Sequence, residues 1–158
     1  MSVPRFLDST LFDEVAALAA ASPRRRQNHN FHEQSEPCHR LLNALQPDSY
    51  IPPHCHRHPD KAESLLVVKG ALGLLIFSGN GELLTTRVLR AGGECVGADL
   101  PPGTFHAIVA LEPDSIMFEA KAGPFVPLGE DERGQWAPRE GEPGAAEYLA
   151  WMRSQFPH

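Results

Sequence analysis

The segment Pro53-His54-Cys55-His56-Arg57-His58-Pro59-Asp60-Lys61-Ala62-Glu63 gathers groups able to bind a metal ion. The chain has eight histidines, and three of them lie between positions 54 and 58. Side chains alternate along a strand, so His54, His56 and His58 project from one face while Cys55 and Arg57 project from the other. If that face lines a barrel interior, the imidazoles converge in a place sheltered from bulk water. Neutral imidazole suits Zn, Cu, Fe and Ni, and a nearby carboxylate such as Glu63 extends the choice to Mn. Downstream, Pro101-Pro102-Gly103-Thr104-Phe105-His106 sets another histidine just after a tight turn, with His106, Ile108 and Ala110 on a common face. One histidine alone reads as a surface residue or a satisfied core residue. Three at alternate positions, followed by a glutamate and a Pro-x-Gly-x-x-His turn, read as one metal site. Cys55 reads as a packed thiol facing away from it.

Around such a site, catalysis needs a titratable residue that is not itself a ligand. The candidates in the sequence are His29, Tyr50 and His58. His29 lies in the polar group Asn28, His29, Asn30 and His32, which reads equally as an edge strand or as a ligand-facing surface. Arg40 and Lys61 read as solvated charges.

The elements that must position these residues are mainly β. A helix is expected over about 9–21: Asp8, Ser9 and Thr10 offer cap oxygens, and Leu11, Phe12, Val15, Leu18 and Ala19 recur at helical spacing. Ser22-Pro23 stops it. Asn28 to His32 suggests a short strand, and Cys38 to Leu45 fits strand or helix. Five short apolar or alternating runs follow, at Ser64–Lys69, Leu72–Ser78, Leu83–Arg90, Phe105–Ala110 and Ser115–Lys121. Glycines and prolines punctuate them, which favours a sandwich or closed barrel over about 26–122. A Pro/Gly-rich arm and a final helix are expected over about 123–156, with Pro143 in the helix's first turn and Ala145, Tyr148, Leu149, Met152 and Phe156 as its apolar stripe. The reading is of one domain over residues 1–158.

Composition narrows the partners. The formal charge is −6 and the sequence pI is near 5.7, against a nucleic-acid binder. The single basic run, Arg24-Arg25-Arg26, reads as a solvated segment rather than an anion site. No run approaches the roughly 20 apolar residues of a membrane span. No signal peptide precedes the first helix, so the expected location is cytoplasmic, with Cys38, Cys55 and Cys95 reduced.

The histidine segment resembles the first cupin motif, a glycine, five residues, His-x-His, three or four residues, a glutamate, six residues and a glycine; Glu63 and Gly70 keep that last spacing. Pro101 to His106 resembles part of the second motif. Asp48 stands in place of the opening glycine, no glycine lies six residues before Pro101, and Ala110 replaces a frequent terminal asparagine. Counting from Asp48 selects His54 and His56 as the pair, whereas counting back from Glu63 by the commoner spacing selects His56 and His58. The proline-rich lead-in Tyr50-Ile51-Pro52-Pro53 favours His54. More specifically, Arg26-Gln27-Asn28-His29-Asn30-Phe31-His32, Tyr50 to His54, Lys61-Ala62-Glu63 and Trp136-Ala137-Pro138 look like the WbuC family of cupin-fold metalloproteins, associated with bacterial O-antigen and surface-polysaccharide gene clusters.

That resemblance implies a cupin (jelly-roll) barrel with an N-terminal and a C-terminal helix. It would hold one divalent ion (Zn, Fe, Mn or Ni) on His54, His56, Glu63 and His106. The expected role is a metal-dependent enzyme of surface-polysaccharide sugar metabolism, with a small sugar-derived ligand and room for a homodimer. A non-catalytic ligand-binding module and an Fe(II) oxygenase are the alternatives, and the residues leave open whether the protein is an enzyme at all.

Overall fold

The structure is a computed structural model that describes residues 3–157. Helix α1 (Ser9–Ala21) starts where the Asp8 carboxylate accepts the Leu11 N–H at 3.0 Å, and it ends at Ser22, extended ahead of Pro23. Its buried face is Val15, Ala16 and Ala19, packed on Leu42, Ala44 and Ile116. Leu18, expected on that face, is 57% exposed, because at 3.6 residues per turn it falls about 100° from the centre of the Val15, Ala16 and Ala19 stripe.

Eight strands follow: β1 (Arg26–Asn30), β2 (Cys38–Leu45), β3 (Glu63–Lys69), β4 (Ala71–Phe77), β5 (Leu83–Arg90), β6 (Gly97–Leu100), β7 (Phe105–Ala110) and β8 (Ser115–Ala122). They form two antiparallel sheets, ordered β1-β2-β8-β3-β6 and β5-β4-β7. The segment from Cys38 to Leu45 is a strand because it pairs along its whole length with β8. Strand β6 carries too few residues to show a period. Gly97 is required there, since a Cβ on it would stand 2.2 Å from the Leu65 carbonyl oxygen.

Alternation along the strands separates the cores. Leu45, Leu65, Val67, Leu72, Leu74, Ile108 and Met117 meet between the sheets. The opposite face of β4 and β7 is covered by α2 (Ala145–Ser154): Leu75, Phe77, Ala107 and Val109 pack with Leu149, Met152 and Phe156. This double cover explains why β4 and β7 are buried almost throughout. Pro143 lies outside α2, before its Gly144 cap, rather than in the first turn. Between β8 and α2, residues 123–144 run as an arm with a 3-10 turn at Glu130–Glu132. The arm is fastened to the histidine segment: the Cys55 N–H donates to the Glu132 carbonyl at 2.8 Å and the Gly134 N–H to the Pro53 carbonyl at 2.9 Å. Among the described residues, no helix is long and apolar enough to cross a membrane.

Candidate metal centre

Four side chains converge at one end of the space between the sheets. His54 lies outside regular strand structure, yet it bridges to His106 on β7; each backbone N–H donates to the other's carbonyl, at 3.0 and 2.9 Å. His56, two residues on, is held by the Gly103 N–H on its carbonyl at 2.7 Å. Glu63 opens β3 between Leu100 of β6 and Lys121 of β8. The ring centroids of His54 and His106 are 4.7 Å apart, those of His54 and His56 5.3 Å, and those of His56 and His106 6.5 Å. Glu63 Oε2 stands 3.2 Å from His56 Nε2 and 3.9 Å from His106 Nε2.

Two of the imidazoles are fixed in one tautomer. His54 Nδ1 donates to the Pro52 carbonyl at 3.0 Å and His106 Nδ1 to the Thr104 carbonyl at 2.9 Å. A carbonyl only accepts, so each Nδ1 carries the proton, and a neutral ring then has a lone pair on Nε2. Burial, then the neighbouring His106, pushes His54 down to about 3, and burial lowers His106 too, so both rings are neutral at ordinary pH. Burial alone would raise the Glu63 carboxyl, but its contacts with His56 and Glu119 outweigh that and hold it below the usual carboxylate range.

His56 Nε2 and Glu63 Oε2 are buried and make no hydrogen bond, despite their 3.2 Å approach. Two buried polar atoms left facing each other are costly unless something else satisfies them. Donors bound at about 2.1 Å to one ion, with tetrahedral or octahedral angles, stand about 3.0–3.4 Å apart, so this pair fits a shared cation. The 3.9 Å separation to His106 is wider. Among the described residues, no three such groups close into a finished coordination set. The donor chemistry and the two orphaned atoms nevertheless fit a divalent ion.

His54, Glu63 and His106 line a cavity of about 420 Å³. Its walls add Asn43 from β2, Glu119 and Lys121 from β8, and Arg26 from β1. Glu119 is 7% exposed; burial first, then the Glu63 charge, pushes its carboxyl up to about 8. Lys121 Nζ lies 3.3 Å from it. Sequence reasoning passed over Glu119 and Lys121, although their alternation with Met117 on β8 already put all three on one face.

The other candidates lie elsewhere. His29 pairs with Leu42 on the α1 side of the sheet, its ring edge-on to Phe31 at 5.1 Å, and it does not line the cavity. Tyr50 is buried beneath the arm and donates its hydroxyl to the Pro138 carbonyl at 2.6 Å; burial raises its pKa. His58 projects outward with its side chain 65% exposed, accepting the Asp60 N–H at 3.1 Å. Cys55 is fully buried among Phe77, Phe105 and Met152, away from the histidines. Lys61, read as solvated, instead donates to the carbonyls of Ala122 and Pro124. Arg26 departs furthest from its solvated reading: its side chain is 11% exposed and is clamped to Glu140 of the arm.

Two antiparallel sheets enclosing a core, with the histidine segment and the β7 histidine brought to one end of it, make this chain a cupin-fold protein. It belongs to the family described as a domain of unknown function, DUF6016, whose model matches residues 7–89. Among solved structures it is similar to KdgF from Halomonas sp., at 22% identity over 66% of this chain and 84% of that one, with a TM-score of 0.51. It is also similar to the capsular polysaccharide assembling protein CapF from Staphylococcus aureus, at 19% identity over 68% of this chain, with a TM-score of 0.55. The match covers 29% of the CapF chain. No curated protein matches in sequence. These likenesses speak to the fold.

Proposed function

We propose that this protein is a metal-dependent cupin that acts on a small sugar-derived molecule of bacterial surface-polysaccharide metabolism. The observation that carries the metal reading is the convergence of His54, His56, Glu63 and His106, with two Nε2 lone pairs preset by backbone carbonyls and two buried polar atoms unsatisfied. Nδ1–H donation to a backbone carbonyl is what orients a metal-binding histidine and raises its basicity. A divalent ion (Zn, Fe, Mn or Ni) held there would polarise a carbonyl or lower the pKa of a bound water. The polysaccharide assignment rests on the resemblance to the WbuC family, and the capsular-polysaccharide role in CapF's name accords with it. The proposal includes a cytoplasmic location.

An enzyme reading is favoured over a binding module by Glu119. It is a titratable group outside the four proposed ligands, on the wall of the same cavity, with Lys121 beside it. Product analysis by NMR on metal-loaded protein, across a panel of hexoses and their acidic derivatives, tests this. Turnover that disappears in Glu119→Gln at unchanged metal content supports the enzyme. Binding without turnover makes the protein a ligand carrier or sensor, and the absence of both overturns the sugar assignment.

A further inference from the structure

Beside the histidine cavity lies a second compartment of about 410 Å³, and His54, Arg24, Arg26 and Ile51 belong to the walls of both. Its charged lining is four arginines, Arg24, Arg26, Arg133 and Arg139, against one glutamate, Glu140. That is a local excess of positive charge in a chain whose formal charge is −6. We propose that Arg24 and Arg26 form a subsite for the carboxylate of an anionic ligand, and that Glu140 of the arm occupies this subsite in the resting protein.

Glu140 is held as a bound carboxylate would be. Arg24 grips it through Nε at 3.0 Å and a terminal nitrogen at 2.8 Å, and Arg26 through both terminal nitrogens at 2.9 Å. Two forks on one carboxylate match the planar geometry that arginine reads best. The two arginines precede and open β1, whereas Glu140 lies more than a hundred residues later, on the arm between the 3-10 turn and α2. Arg26 is braced independently: its guanidinium also reaches the Ser49 hydroxyl at 3.4 Å and the Tyr50 carbonyl at 3.3 Å. It therefore stays in place if Glu140 leaves. Glu140 is 34% exposed at its side chain.

Arg133 and Arg139 add positive charge to the same wall, both paired with Glu130: Arg133 Nε stands 3.7 Å from its carboxylate without a hydrogen bond, and Arg139 lies at 2.6 Å. A ligand carboxylate entering here would leave the rest of a sugar-sized molecule directed past the shared His54 and Ile51 into the histidine cavity. This substrate class, a carboxylated sugar, rests on the function proposed above; the carboxylate subsite itself does not need the metal.

A tethered carboxylate competes at an effective concentration on the order of millimolar. Removing its charge should therefore strengthen binding of a free carboxylate, the opposite of what a merely structural ion pair would do. Acetate and glucuronate are titrated into wild type, Glu140→Gln and Glu140→Gln/Arg26→Lys, following the Arg Nε–H signals by NMR, with glucose and inorganic phosphate as controls. The expected result is about tenfold tighter carboxylate binding in Glu140→Gln, lost in the double variant, with no response to glucose. Unchanged or weaker carboxylate binding in Glu140→Gln overturns the proposal. A response to phosphate alone overturns the carboxylate assignment. If Glu140→Gln and Glu140→Ala both fail to fold, Glu140 is a structural tie and the proposal also fails. Each titration is run on metal-free and metal-loaded protein: an acetate effect without any metal uptake would sink the function proposed above and leave the subsite standing.

Discussion

His54 and His106 face each other across a two-hydrogen-bond backbone bridge, and each turns its Nδ1–H onto a carbonyl two residues before itself. Their separation of 52 in sequence is closed by the barrel, and the outcome is two imidazoles with matching tautomers 4.7 Å apart. The expected measurement is direct. In metal-free protein near neutral pH, nitrogen NMR of both rings shows the proton on Nδ1 and none on Nε2. An Nε2–H tautomer at either ring would mean that the lone pairs are not preset.

Folding is carried by the apolar clusters on both faces of the sheets, and none of those clusters depends on the histidines. Stripping metal with a chelator should leave the β-type circular dichroism unchanged and lower the melting temperature only by the binding linkage. Wholesale unfolding, as in a zinc finger, would make the ion a structural element.

Phe156, just past helix α2, packs tightly on β4: a Cβ on Gly73 would fall 2.5 Å from its ring. Gly73→Ala should cost about 1–3 kcal/mol by overpacking, and Phe156→Ala about 3–5 kcal/mol by leaving a void. Because the methyl enters the space the ring vacates, the double variant should be more stable than the sum of the two losses allows. Additive losses in urea melts would place Phe156 elsewhere.

The Glu140 clamp has a pH signature. Hydrogen bonds from Arg24, then Arg26, hold its carboxyl down at about 2, whereas an unfolded glutamate titrates at about 4.3. A carboxyl depressed on folding contributes stability that is present above the unfolded pKa and lost as pH falls through the folded one. Partial exposure screens the effect. Wild type should therefore lose more stability than Glu140→Gln between about pH 5 and pH 2. Parallel curves over that window would show that the clamp is not coupled to folding.

Much of the barrel was legible because its strands are short, alternate, and end in glycine and proline, and because α1 carries its own cap at Asp8 and stop at Pro23. Strand β6 was not legible: four residues cannot display a period, and Gly97 marks a close approach only once Leu65 is beside it. The His54–His56–Glu63 spacing and the turn before His106 pointed to one cluster, and the structure brings those four side chains together. Glu119 escaped notice, and Arg26 was read as solvated, because what defines them is distant. Glu119 gains its meaning from Glu63 across a strand pair, and the Arg24–Arg26 run acquires Glu140 from the far end of the chain. His29 and Tyr50 were polar residues near the right segments, but strand parity turned one toward α1 and the arm buried the other.

Binding of one divalent ion by His54, His56, Glu63 and His106 is read from elemental analysis of protein purified without added metal. Wild type should carry about one equivalent, with His58→Ala close to that value and His54→Ala, His56→Ala and His106→Ala each clearly reduced, because each removes one donor to the ion. Wild-type protein with no metal above background would overturn the site, and His54→Ala protein that keeps its metal while His58→Ala loses it would show that the ligand pair is His56 and His58.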